Sequence, residues 1–398
     1  MSNQHDLGFA KPQTNDGPVE CLGKTFASDD ARRKHFLNLL REKLQDPEFR
    51  KAPGFPKGSD EAILRMSDPP YYTACPNPFI EDFVRVYGKP YDASEKYERE
   101  PFAVDVSVGK TDQLYKAHGY HTKVPHLAIV PSILHYTRPG HIVLDGFCGS
   151  GMTGLAAQWC GTAPSSYRQQ LEADWKAAGN AKPEWGARKV VLNDLGPAAS
   201  FIASGYNLPF DVLRFEREAQ RVLSELEDEL GWMYECVHTD GKTKGRINFT
   251  VWSEVFSCPQ CAGEVSFLAE ALDEDTKKTR SEFPCPHCGV ELNKDRLERS
   301  FETRLDPIIG ETWKRIELRP VRINYNVGAA THERPVTDAD HAVLNRIDGL
   351  PYPAEVPSAA FPIPDMYHGS RLEPKGFSRA HHLFLPRAAH ALAALWRK

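Results

Sequence analysis

The sequence has no uninterrupted apolar stretch approaching the roughly 18 residues that a membrane-spanning helix needs, so no spanning segment and no membrane partner are expected. Its first residues, Met1-Ser-Asn-Gln-His-Asp6, carry neither a basic region nor an apolar run, which argues against a signal peptide. A charge excess of one sign is also missing: 49 Lys and Arg stand against 54 Asp and Glu, for a net charge of -5. That excludes a global polycation, so contact with nucleic acid must come from local patches. The basic runs Arg32-Arg33-Lys34 and Lys314-Arg315 are read as solvated faces. Nor do the 9 cysteines form a disulfide-like pattern. Two Cys-x-x-Cys pairs stand apart from Cys21, Cys75, Cys148, Cys160 and Cys236, which are scattered singly and read as packing residues. This usage suits a reducing, cytoplasmic compartment and a metal site.

What is present is ordinary globular composition, 41% hydrophobic and 26% charged over 398 residues, with room for more than one domain. Residues 1–27 are polar and expected to be mobile. Residues 28–120 read as a helical and irregular region. It has a helix from Ser28 or Asp29 to Leu44, a capped helix over Ser59–Met66, and a helix opened by Asn77-Pro78 that ends at Gly88. Residues 121–235 carry the sharpest pattern: helix Val124–Tyr136, strand Ile142–Leu144, a glycine loop, and a helix from Met152. Strand Lys189–Asp194 and a further helix follow. Strand, loop, helix, strand is half of a doubly wound α/β sheet of Rossmann type. The connection 161–186 should lie on the surface. After an amphipathic helix over 210–232, residues 236–300 hold the cysteine pairs. Residues 301–398 form a Pro-rich, weakly patterned region closed by a helix from Ala388 to Trp396.

The loop after the first strand, Asp145-Gly-Phe147-Cys-Gly149-Ser-Gly151-Met-Thr-Gly154, brings a strand end and a helix N-terminus together. Gly149 and Gly151 allow close backbone approach to a ligand's charged amino-acid moiety, and Asp145 can orient its cationic end. Asp194, ending the next strand, stands where an acid receives ribose hydroxyls. A nicotinamide Rossmann site is the competing reading of the glycine spacing. The string resembles the Asp-Pro-Phe-x-Gly-Ser-Gly-Thr-Thr signature of DNA adenine-N6 and cytosine-N4 methyltransferases, with Gly146 for Pro and Met152 for Thr. The resemblance implies a class I S-adenosylmethionine (AdoMet) site, with Phe147 beside the cofactor. His121-Thr-Lys123-Val-Pro-His126 resembles the lead-in that completes the pocket in that family, which places Lys123 among its residues.

Asp68-Pro69-Pro70-Tyr71 fits the chemistry of amine methylation. An exocyclic amine is a poor nucleophile because its lone pair is delocalised. An acid side chain and the first proline's carbonyl can bind its hydrogens, the prolines fix the loop, and the aromatic ring stacks on a flipped base. A rigid structural turn is the plainer alternative. Only about fifty residues separate Tyr71 from the lead-in helix, too few for the strands that a catalytic half placed first would need.

Cys258-Pro-Gln-Cys261 and Cys285-Pro-His-Cys288 are knuckles that aim four thiolates at one metal, a closed structural zinc site. His287 should point away, and His381 and His382 are read as surface residues. With these motifs the sequence resembles the N-terminal part of large bacterial and archaeal DNA methylases carrying a zinc ribbon. Its markers are Ser67-Asp-Pro-Pro-Tyr-Tyr-Thr-Ala-Cys-Pro-Asn-Pro-Phe79, the cofactor loop and the cysteine pairs. Family members carry a further Asp-Pro-Pro-(Phe/Tyr) motif beyond the ribbon, and none follows residue 300 here. The resemblance implies DNA as partner in a restriction, modification or phage-defence setting. It also implies either a truncated or split enzyme whose catalytic half comes from a second polypeptide, or a non-catalytic AdoMet- and zinc-binding subunit. Methylation of RNA or of a protein glutamine, which uses similar loops, is the other enzymatic reading.

Overall fold

The computed structural model describes residues 17–90, 92–273, 276–366 and 369–398. The chain divides into two compact units, Met1–Phe215 and Glu216–Lys398. Residues 1–16 of the segment expected to be mobile lie outside the described residues. Its remainder is ordered instead, because β1 (Val19–Cys21) and β2 (Lys24–Phe26) pair as an antiparallel hairpin.

In the first unit, α1 (Asp29–Lys43) is capped by Ser28, whose Oγ accepts from the Ala31 N–H at 3.2 Å, and two aspartates occupy its first turn. Then come α2 (Pro47–Arg50), α3 (Asp60–Met66) capped by Ser59, and α4 (Ile80–Tyr87). Helix α4 begins later than Asn77-Pro78 suggests, since Asn77 Oδ1 accepts from the Phe79 N–H at 2.9 Å and Phe79 is the cap. Phe36 and Leu40 of α1, Ile63 of α3, Phe79 and Cys21 close a small core.

After α5 (Gln113–Lys116) comes the α/β part: α6 (His126–Tyr136), β3 (Ile142–Asp145), α7 (Met152–Thr162), α8 (Ser165–Ala177), β4 (Lys189–Leu192) and α9 (Pro197–Asn207). Strands β3 and β4 run parallel, from Ile142↔Lys189 to Asp145↔Leu192. Val130, Ile133 and Leu134 of α6 meet Ala156, Ala157 and Cys160 of α7, small residues that let the helices approach closely. The connection 161–186 is not merely a surface loop: it contains α8, and Trp175 is buried in this core. The order of elements fits the expected α/β class. Among the described residues, however, β3 pairs with β4 alone, so a full Rossmann sheet is not formed. Parallel strands are ordinarily covered on both faces, yet Leu144 is 73% exposed. Helix α10 (Val212–Leu230) runs across the division and buries no residue.

The second unit is built on antiparallel pairing. Its elements are β5 (Glu235–Val237), β6 (Lys244–Ser257), β7 (Glu264–Ser266), α11 (Phe267–Ala271), β8 (Glu282–Pro284), β9 (Glu291–Asn293) and β10 (Glu298–Arg299). They continue with β11 (Phe301–Leu305), β12 (Thr312–Ile316), β13 (Leu318–Val327), β14 (Ala330–Pro335), α12 (Asp338–Asp348), α13 (Gly369–Leu372) and α14 (Pro386–Arg397). Strand β6 is the spine of a six-stranded sheet in the order β10-β6-β13-β14, with β5 and β7 also on β6. Residues 301–398 are thus not a weakly patterned appendage, because β13 and β14 complete the sheet that β6 begins. The fully buried Tyr325 of β13 packs with Ile247 and Cys236, and its hydroxyl meets His238 Nδ1 at 2.9 Å. The buried pair Arg334–Asp340 (2.5 Å) ties β14 to α12, whose Thr337 and Asp340 form a capping box.

Candidate functional site

The loop between β3 and α7 is stitched to the end of β4. The Gly149 N–H donates to Asp194 Oδ2 at 2.9 Å, and the Gly196 N–H donates to Asp194 Oδ1 at 2.8 Å. The Cys148 N–H reaches the Asn193 carbonyl at 2.9 Å. Asp145 accepts from the Phe147 N–H at 3.1 Å and from Thr153 Oγ1 at 2.6 Å. The two carboxylates expected to meet a ligand therefore also hold the loop's shape. Gly149 (φ +52°) and Gly151 (φ +82°) lie in the left-handed region. A Cβ at Gly149 would come within 2.9 Å of the Tyr120 ring, and one at Gly151 within 2.7 Å of Ala203 Cβ.

This cradle suits the charged amino-acid end and the nucleoside of AdoMet. Helix α7 starts at Gly151 with no side-chain cap, which leaves the amides of Met152 and Thr153 uncapped by any side chain, as an anion-binding helix N-terminus requires. The Ser150 hydroxyl is buried without a hydrogen-bond partner among the described residues. Phe147 is 83% exposed at the loop tip, free to cover a ligand.

Lys123 is placed differently from expectation. Its ammonium is committed to the carbonyls of His118, at 2.5 Å, and Tyr115. It shapes the 115–123 loop that sets Tyr120 against Gly149, so its connection to the cradle is indirect. Burial lowers its pKa. Tyr120, Thr153 and Asn207, whose side-chain amide donates to the Gly151 carbonyl at 3.1 Å, are parts of the cradle that motif reading did not single out. Only the second residue of the Met152-Thr153 pair carried any signal.

The Asp68-Pro-Pro-Tyr71 loop follows α3, with Ser67 and Asp68 held in place by Ser67 Oγ to Ile63 O (2.6 Å) and a bridge between Asp68 and Tyr72. Tyr72 lies against Phe201 of α9, ring centroids 6.5 Å apart. Both amine acceptors of the loop already have a partner: Arg32 Nη1 donates to Asp68 Oδ1 at 2.8 Å and to the Pro69 carbonyl at 2.7 Å. The guanidinium lies 4.7 Å from the Tyr71 ring centroid. Far from being solvated, Arg32 is 1% exposed. Partial burial raises the Tyr71 pKa.

In the second unit the four cysteines converge. Cys258 and Cys288 sulfurs are 3.9 Å apart, Cys261 and Cys285 3.8 Å, and all four lie within 4.8 Å of one another. Tetrahedral zinc with sulfurs at about 2.3 Å would space them about 3.8 Å apart, so the set fits the ion. The left-handed residue that turns each knuckle is Gly289 in the second but Ala262, not Gly263, in the first. His287 points away, its Nε2 on the Glu264 carbonyl at 2.8 Å. Phe256, Val265, Phe267 and Phe283 form the core beneath.

His381 and His382 are not surface residues. Both are buried, and their Nε2 atoms lie 2.7 and 3.0 Å from Oδ2 of the buried Asp306. The Ser378 N–H donates to His382 Nδ1 at 3.2 Å, so Nδ1 carries the lone pair and Nε2 the proton. A protonated Nε2 cannot ligate a metal, and the trio is a hydrogen-bonded node. Burial pushes the Asp306 carboxyl up, but the His382 and His381 bonds and the Ile308 N–H outweigh it and bring it to about 2.

Residues 34–162 match the family model of DNA methylases of the N6/N4 type, a stretch that spans both the Asp68–Tyr71 loop and the Asp145–Gly154 loop. No curated protein and no solved structure matches the chain. No helix among the described residues is long and apolar enough to cross a membrane.

Proposed function

We propose, with the DNA methylase match over residues 34–162 as premise, that this chain is an AdoMet-dependent methyltransferase module acting on an exocyclic base amine of DNA, adenine N6 or cytosine N4. The observation that carries the reading is the cradle at Asp145–Gly154: two left-handed glycines, an uncapped helix start, Asp145 and Asp194 on the loop's amides, and a buried Ser150 hydroxyl with no partner among the described residues. Bound there, AdoMet supplies a methyl group already activated on a sulfonium. Asp145 and the α7 N-terminus would hold its amino-acid end, Asp194 its ribose, and Phe147 would cover it. Gly149 and Gly151 give the room, and Lys123 shapes the lead-in. Asp68, the Pro69 carbonyl, Pro70 and Tyr71 form the loop that would hold the amine. Cys258, Cys261, Cys285 and Cys288 would hold structural zinc. A restriction, modification or phage-defence role follows from the same reading.

Two observations favour a second reading, a module completed by another polypeptide that brings the base-binding half. Arg32 occupies the amine acceptors, and β3 has a neighbour on one side only among the described residues. Calorimetry with AdoMet tests the shared core: binding is expected for the parent and loss for Asp145→Ala, and a parent that does not bind refutes it. Tritium transfer from labelled AdoMet to unmethylated DNA, compared with tRNA, tests the acceptor. Label entering tRNA alone would overturn the DNA assignment.

A further inference from the structure

The Asp68–Tyr71 loop offers three contacts to an amine-bearing base: a carboxylate oxygen, a carbonyl and an aromatic face. A single internal residue contacts all three. Arg32 Nη1 bridges Asp68 Oδ1 and the Pro69 carbonyl, and the guanidinium carbon lies over the Tyr71 ring, 4.7 Å from its centroid. Its remaining donors, Nε and Nη2, go to Asp29 at 2.9, 2.7 and 2.8 Å. The likeness is chemical. Adenine and cytosine present a ring nitrogen and an exocyclic amine on one carbon, a neutral amidine edge, and a guanidinium is its planar cationic counterpart. Hydrogen bonds from a cation to a carboxylate are about twice as strong as neutral ones, so a base does not displace Arg32 by its own contacts alone.

We propose that Arg32 is the resident occupant of the Asp68-Pro-Pro-Tyr71 loop and holds it closed to a base until Nη1 is withdrawn. The proposal rests on the amine-methylation reading above and names a control on that site. Two features make withdrawal feasible. Asp29, one turn away on the same helix and paired with Nε and Nη2, can move with Arg32, so no bare charge need be left buried. Asp68 is 34% exposed in its side chain and has Arg33 Nε at 3.6 Å, so its carboxylate has another cation to turn to. A purely structural tie would show the same contacts but no competition, and a gain of binding separates the two.

The probes are deoxyadenosine and deoxycytidine, with thymidine, which lacks the amine, as control, titrated by calorimetry onto the full chain in saturating AdoMet. Arg32→Ala is expected to bind at least one amine-bearing nucleoside about ten- to a hundredfold more tightly than the parent, the factor of one hydrogen bond to a charged group. Thymidine gains nothing, and added methylguanidine refills the space and reverses the gain. Arg32→Lys keeps a cation for Asp29 but cannot span both partners with one ammonium. It shows a smaller gain and serves if the alanine variant does not fold. Absence of gain in a folded variant, or failure of both variants to fold, overturns the proposal. AdoMet titrated onto the parent keeps the two claims apart: lost binding there sinks the proposed function, whereas absent gain with AdoMet binding intact sinks the role of Arg32 alone.

Discussion

Replacing Gly151 by alanine tests the cradle at its tightest point. Gly151 sits at φ +82°, where an L-residue pays about 1–2 kcal/mol. Its new Cβ would stand 2.7 Å from Ala203 Cβ and 2.8 Å from Ala203 Cα. The second of these is backbone in α9, so a side-chain rotation cannot relieve it, and overpacking of this kind costs about 1–3 kcal/mol. Helix α9 must retreat, and with it Asn207, whose amide holds the Gly151 carbonyl. If about 2 kcal/mol of the total falls on the loop, AdoMet affinity drops roughly thirtyfold. Gly146→Ala is the matched control: nothing lies within 4 Å of its Cβ, and its φ is not in the left-handed region. Calorimetry with AdoMet, run beside thermal melting, should show a weak Gly151→Ala and a near-parental Gly146→Ala. Parental affinity in folded Gly151→Ala, or equal loss in both, would refute the reasoning.

Zinc removal and pH give two further expectations. Chelation, or Cys285→Ser, should loosen the segment around Phe267 and Phe283, seen as faster amide exchange there, while AdoMet affinity stays parental; exchange that does not change would refute a structural metal. His126 is fully buried with neither ring nitrogen partnered among the described residues, and burial lowers its pKa from 6.5 to about 4. The fold holds it neutral while the unfolded chain takes up a proton, so its contribution is present above pH 6.5 and is lost as pH falls toward 4. The loss is about 3 kcal/mol. His126→Phe, which keeps a ring against Trp159, should flatten urea-midpoint-versus-pH curves over that window; superimposable curves would sink the assignment.

The parts legible in the sequence were those whose physics is local. Ser28 and Ser59 cap helices within three residues of themselves, the Asp145–Gly154 loop joins adjacent elements, and each cysteine knuckle is a short turn. What escaped depends on distant partners. Arg32 looks like one of three exposed cations until Asp68, 36 residues on, and the Pro69 carbonyl are placed around it. Asp306 is 75 residues from His381, so nothing nearby marks either as buried. Strand β13 was obscured by Pro320, which sits at a register shift against β6, and by charged residues on its half-exposed face. Composition there reads as Pro-rich coil, although Ile323 and Tyr325 alternate inward.

The register around Ser257 has a bearing on how such a molecule can be assembled. Ser257 pairs with Glu264 on one side and with Glu298 on the other. The chain therefore departs from the end of β6 into the cysteine-bearing excursion and returns directly beside its point of departure. Between those points nothing contributes to the β6–β13 ladder, whose register runs from Leu318↔Glu254 to Asn326↔Arg246. The length of the excursion is thus free to vary, by natural insertion or by design, without re-registering the β6–β13 ladder, provided that β7 and β10 keep their places on β6.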